Sequence, residues 1–126
     1  MGIMSLPDGR FLIARRPTGK SHAGLWEFPG GKIHADETPE QALAREFAEE
    51  LDVGITIEVR MDEYFYRDDA TVLHFFPFSG RLHGSDVQLN EHEQVRFIHA
   101  EELDGFCFAP PDYEIVRRLK QAAVVA

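Results

Sequence analysis

Three glutamates, Glu46, Glu49 and Glu50, stand at i, i+3 and i+4, a spacing that gathers side chains on one face of an α-helix. Like charges so placed repel, by roughly a few tenths of a kcal/mol per pair. Two readings answer that repulsion. One is a solvated acidic face on which Arg45 bridges to Glu49. The other is a site for a hard divalent cation, because Mg²⁺ takes carboxylate oxygens, waters and substrate phosphates as ligands. Upstream lies Phe28-Pro29-Gly30-Gly31, a tight turn whose glycines leave backbone carbonyls open to a metal or a phosphate group. The overall charge belongs to the same question. Asp and Glu outnumber Lys and Arg by 22 to 13, a net charge of −9. That excludes a generic basic binder of nucleic-acid polymers or anionic membranes. An acidic chain that handles phosphates needs cations as intermediaries.

The elements that must position these groups are legible in outline. Thr38 at an N-cap, Pro39 at the first helical position and Gln41 in a capping box predict a helix over 39–51. On its wheel Leu43, Ala44, Phe47, Ala48 and Leu51 fall on one side, and the three glutamates on the other. Short runs at Ile3–Leu6 and Arg10–Arg15 flank Pro7-Asp8-Gly9, read as a hairpin turn with Gly9 at positive φ. The first arm is very short: either a stub or a strand truncated at its N-terminus. Trp26-Glu27-Phe28 is a short extended piece. Strand-like runs follow at Ile55–Arg60, Glu63–Arg67, Val72–Ser79 and Val95–His99. Residues 110–123 predict a second helix, with Ile115, Val116, Leu119 and Ala122 or Ala123 as its buried stripe. Length and globular composition allow one domain, 1–126, of α+β class, a sheet covered by helices. A lone Cys107 permits no internal disulfide. No apolar run approaches the ~20 residues of a membrane span, and the N-terminus lacks signal-peptide features. The expectation is a soluble, cytoplasmic protein.

At this point the spacing becomes recognisable. Gly31, five residues, Glu37, seven residues, then Arg45-Glu46-Phe47-Ala48-Glu49-Glu50-Leu51-Asp52-Val53 resembles the Nudix box at every specified position except the last glycine, which is Asp52. That glycine closes the helix in a left-handed conformation, which Asp tolerates at a cost of about 1 kcal/mol. Gly24-Leu25-Trp26-Glu27-Phe28-Pro29-Gly30-Gly31-Lys32-Ile33, with Glu91-His92-Glu93 and Ala109-Pro110-Pro111-Asp112 later, is similar to the MutT-type nucleoside triphosphate pyrophosphohydrolases, those acting on 8-oxo-dGTP and CTP. The resemblance implies an α/β/α sandwich around a mixed sheet, whose first strand would begin several residues before Met1.

It also implies roles. Glu46, Glu49 and Glu50 would hold Mg²⁺ or Mn²⁺, with the Gly30 carbonyl as a further ligand. Glu37 and Arg45 would orient those glutamates through a salt bridge, or serve only as a helix-start acid and a surface base. Arg15 or Arg16, the latter better placed, would bind phosphate. Water activation falls to Glu50, Glu49 or, on a later loop, Glu91, which would bind metal or act as base. Phe28 and a residue of Val72–Phe78, Phe76 above all, would contact the nucleobase unless they belong to the core. Asp112 would read the base edge or act as an ordinary N-cap.

The implied activity is Mg²⁺-dependent conversion of a nucleoside triphosphate, plausibly an oxidised one, to the monophosphate and pyrophosphate. Alternatives are a Nudix-like module that only binds a nucleotide, or an enzyme acting on another nucleoside diphosphate derivative. The implied partner is a small nucleotide and no polymer or membrane; monomer and dimer stay open.

Overall fold

The computed structural model of the protein describes residues 1–124, the last two as backbone only. Strands β1 (Gly2–Ser5), β2 (Phe11–Arg15), β3 (Trp26–Glu27), β4 (Ile55–Arg60), β7 (Phe78–Leu82) and β8 (Gln94–Ile98) form one sheet. Its order is β3-β2-β1-β7-β4, with β8 also pairing β2 along Phe11↔Ile98 to Arg15↔Gln94. The β1–β7 pair is parallel, in register Gly2↔Phe78 to Ser5↔Arg81, and the other pairs are antiparallel. The sheet is therefore mixed. Strands β5 (Tyr64–Arg67) and β6 (Val72–Phe75) form a separate hairpin.

Alternation along the central strands builds two cores. Met4, Leu12 and Ala14 face helix α1 (Pro39–Leu51), packing with Leu43, Phe47 and Leu51. Ile3, Phe11 and Ile13 face the other way, onto Ile115 and Val116 of helix α2 (Tyr113–Val124). The result is the expected α/β/α sandwich. Gly2 is needed where β1 passes α1, since a Cβ there would stand 2.9 Å from the Phe47 ring.

The capping box of α1 is present: Thr38 Oγ1 accepts from the Gln41 amide at 3.1 Å, and Gln41 Oε1 from the Thr38 amide at 2.9 Å. Asp52 closes the helix at φ 51°, ψ 45°, and Gly9 turns the first hairpin at φ 90°.

Three expectations are corrected. Ala44 and Ala48 are exposed, and Glu50 is buried with Ala42, Leu43, Phe47 and Leu51. Glu50 is seven residues past Leu43, two full turns, so it shares the inward stripe. The Val72–Ser79 run is two strands, parted at Pro77, whose missing N–H cannot join a ladder. The 110–123 helix begins with a 3-10 turn at Pro110–Asp112 before α2; Ala122 is exposed, and the Ala123 side chain lies outside the described residues.

Candidate active site

The site is assembled around the short strand β3. Trp26 donates its amide to the Cys107 carbonyl at 2.9 Å, and Ala109 donates to the Trp26 carbonyl at 2.8 Å. With β2 on its other side, this two-residue strand is held on both edges. Trp26 and Phe28 are buried in the α2-side core, and Glu27 between them points away from it. Its Oε1 accepts from Arg16 Nη1 at 2.6 Å, and its Oε2 lies 2.7 Å from His92 Nε2. Burial opposes ionisation of Glu27, but the hydrogen bonds from His92 and Arg16 outweigh it and hold the carboxyl below its ordinary range.

Next to β3 opens a cavity of about 820 Å³, inside the range of ligand pockets. Arg16, Glu27, Gly30 and Gly31 line it, together with Leu73, His74 and Phe75 of the β5–β6 hairpin and with Pro111 and Asp112. Asp112 is buried, and its Oδ2 accepts the Phe28 amide at 2.8 Å. Burial pushes its carboxyl up to about 7, against the pull of that amide. Its hydrogen bond goes to another element, not to the first turn of α2, so no N-cap bond is seen. Tyr64 Oη steadies the same turn by donating to the Pro111 carbonyl at 2.9 Å.

Gly31 joins the cavity to the acidic helix. A Cβ at Gly31 would collide with the Glu46 carboxylate, so only glycine leaves that carboxylate room at the cavity wall. Glu50 stands behind it, 7% exposed, with Oε2 buried and without a protein partner. Burial pushes its carboxyl up to about 9, and the hydrogen bond and charge of Glu46, then the charges of Glu91 and Glu27, act in the same direction. Arg45 manages the others. It forks onto Glu37, Nε to Oε2 at 2.7 Å and Nη2 to Oε1 at 3.0 Å. Its Nη1 donates to Glu46 at 2.9 Å and to exposed Glu49 at 3.2 Å. The fork and the His34 amide hold the Glu37 carboxyl down at about 2.

Among the described residues no three acidic or histidine side chains form a closed ligand set. A hard cation that keeps its waters and takes phosphate oxygens needs only one or two carboxylates. The buried, unpartnered Glu50 oxygen beside Glu46 fits such a cation.

The other expected residues fall as follows. Glu91 sits on a loop tied to the end of α1: the Asn90 amide donates to the Glu50 carbonyl at 3.1 Å and Asn90 Nδ2 to the Glu49 carbonyl at 3.0 Å. Glu91 itself is exposed, 3.5 Å from Lys20 Nζ. Arg15 pairs with Glu93 at 3.5 Å, and Arg16 rather than Arg15 lines the cavity. Phe76 lines the cavity. Phe28 lines the cavity too, and it is also core: 2% exposed, its ring stacks on Phe108 at 5.3 Å and is tilted against Phe11. Glu27, and the use made of His92, were missed by sequence reasoning. A lone carboxylate between two large aromatics in so short a strand was the available signal.

The NUDIX domain model matches residues 1–119. The CTP pyrophosphohydrolase of Escherichia coli (strain K12) is 34% identical over 110 residues, 86% of this chain and 81% of that protein. An 8-oxo-dGTP diphosphatase of Haemophilus influenzae is 30% identical over 119 residues, 94% of this chain and 87% of its own. A solved MutT structure, from work on the Aliivibrio salmonicida and Vibrio cholerae proteins, superimposes with a TM-score of 0.78 at 28% identity, covering 94% of this chain and 91% of that one. A box-bearing helix capped as the spacing requires, beside a nucleotide-sized cavity and matched over nearly its whole length, places this chain in the Nudix hydrolase family.

Proposed function

We propose that this hydrolase converts a nucleoside triphosphate, an oxidised or pyrimidine one, to the monophosphate and pyrophosphate, with Mg²⁺ or Mn²⁺ as cofactor. One observation carries the reading: Gly31, on the wall of a cavity that buried Asp112 also lines, leaves room behind it for the Glu46 carboxylate, beside which Glu50 keeps a buried oxygen without a partner among the described residues. Phosphates beside the glutamates and a base beside Asp112 suit a nucleotide lying between them. Glu46, Glu49, Glu50 and Glu91 would hold the cation, with the Gly30 carbonyl in addition, and a bound cation would offset phosphate charge and lower the pKa of a water. Arg16 reaches the phosphates from the β2 side. Arg45 and Glu37 orient Glu46 and Glu49. Glu91 or Glu50 takes the proton of the attacking water.

Asp112 sorts bases by hydrogen-bond polarity. An ionised carboxylate only accepts, so it favours an N–H or amino group on the base edge that faces it: cytosine offers its amino group, and 8-oxoguanine offers N–H groups that guanine presents differently. Curated relatives are named for CTP and for 8-oxo-dGTP, which agrees with that preference. The reading as a module that only binds nucleotides is disfavoured because all the box glutamates are present. Pyrophosphate release from a panel of oxidised and normal triphosphates, with and without Mg²⁺, tests the proposal. Mg²⁺-dependent release from 8-oxo-dGTP or CTP is expected; no turnover of any triphosphate returns the chain to the binding class.

A further inference from the structure

Between the end of β7 and the start of β8 the chain crosses the acidic end of α1, held by backbone hydrogen bonds to α1 and to β2. The Gln88 amide donates to the Leu51 carbonyl at 2.9 Å and the Asn90 amide to Glu50 at 3.1 Å, taking up carbonyls that the end of a helix leaves unpaired. The Glu93 amide donates to the Arg15 carbonyl at 3.1 Å. Only two residues, Glu91 and His92, lie between the Asn90 and Glu93 anchors, and they part company: Glu91 is exposed and His92 is 6% exposed. Among the described residues the one polar contact of the imidazole is Nε2 to Glu27 Oε2, since Nδ1 is buried with no partner there. Glu27 in turn holds Arg16 through its second oxygen.

We propose that His92 is a positioning residue. Inserted behind the loop and held by Glu27, it sets the direction in which Glu91 leaves a backbone that Asn90 ties to the acidic end of α1, while Glu27 holds Arg16 on the cavity side with its other oxygen. Glu27 is thus a shared brace for the phosphate-facing arginine and the Glu91 loop. The kinetic part of this inference rests on the hydrolase reading above; the structural part does not.

The test has two arms. In metal-free protein, amide hydrogen exchange read by NMR at Asn90 and Glu93 reports the loop directly. In His92→Phe, which keeps a ring but removes the bond, both amides should exchange roughly tenfold faster or more, on the scale of losing a hydrogen bond to a charged partner, while Phe47 and Leu51 in α1 keep their protection. His92→Gln puts an amide N–H near the position of Nε2 and should restore most of the protection. Glu27→Ala removes the acceptor and should reproduce the His92→Phe result. Unchanged loop exchange in folded His92→Phe overturns the proposal. So does loss of α1 protection along with the loop in both His92→Phe and Glu27→Ala, which would make the pair a brace of the whole fold. In the kinetic arm, His92→Phe should lower kcat by about tenfold with KM within about twofold, and Glu27→Ala should raise KM as well, because Arg16 keeps its bond to the Ser21 carbonyl but loses its ion pair. A rise in KM with kcat unchanged in His92→Phe also overturns it. Absence of turnover in the parent would instead fail the hydrolase reading, and the exchange arm would still decide the role of His92.

Discussion

Glu50 and Asp112 are both buried carboxylic acids, and they differ in what their oxygens meet. Asp112 has a fixed donor, the Phe28 amide, on one oxygen. Glu50 has instead a second carboxylate beside it and a buried oxygen with no partner. Desolvation raises both, to about 7 for Asp112 and about 9 for Glu50, the larger rise going to the group that has a like charge in place of a donor. The difference separates two uses of burial. A carboxylate oriented by a backbone N–H can select among neutral hydrogen-bonding partners. A carboxylate pressed against another favours a proton or a cation.

The comparison is broken most sharply at Glu50. Glu50→Gln keeps the volume and removes the charge, so kcat should fall by roughly 10²-fold or more at saturating Mg²⁺, with the fold retained. Near-parent activity would show that the acidic pair does not serve the chemistry. Asp112→Asn exchanges an acceptor for a donor while keeping an oxygen for the Phe28 amide, and Asp112→Ala removes both. Each should flatten the ranking of kcat/KM among 8-oxo-dGTP, dGTP and CTP, by about 1–3 kcal/mol for the preferred base, with a smaller change at saturation. An unchanged ranking with a lower Tm would leave Asp112 only a structural role.

Proton linkage compares the two groups in one measurement. Both native pKa values lie above the ordinary values of 3.8 and 4.5, so between those limits the folded chain holds protons that the unfolded chain has released. The stability they contribute is full below about pH 4 and is lost as pH rises, through about 7 for Asp112 and about 9 for Glu50. Metal-free Glu50→Gln should therefore lose less stability than the parent between pH 7 and 9. Mg²⁺, which competes with the proton, should raise Tm more at pH 8 than at pH 6 in the parent and less at either pH in Glu50→Gln. Equal melting curves for parent and variant across that range would contradict the burial of Glu50. The smallest effect is expected at Asp52, which carries positive φ at the end of the same helix. Asp52→Gly should stabilise by about 0.5–1 kcal/mol, seen as a small rise in Tm, with kcat unchanged.

What the sequence made legible is what neighbours in the chain determine. The α1 caps, the left-handed Asp52, the turn at Gly9 and the Glu37–Arg45 ion pair all join residues within a few turns of one another. The inward position of Glu50 was within reach of the same periodicity, but its charge placed it on the wet face. The pairing of Glu27 with His92 spans 65 residues and that of Phe28 with Asp112 spans 84, so neither leaves a local pattern. The first depends on β2 and β8 standing side by side, the second on residues 107–109 running along β3. Pro77, by contrast, announced the break between β6 and β7 and was passed over in an otherwise continuous β-forming run.

The same long-range pairing governs when the site can exist at all. β1 and β2 are made before every other strand of the sheet, yet β1 waits for β7 and β2 for β8, both in the second half of these 126 residues. A nascent chain that has emerged only through α1 carries every glutamate of the box, while β1 and β2 each still lack one neighbouring strand and the loop that caps the acidic helix end is not yet made. Its apolar strand edges and its cluster of negative charge face water together until β8 closes the sheet, which makes folding of this small domain late and concerted rather than progressive.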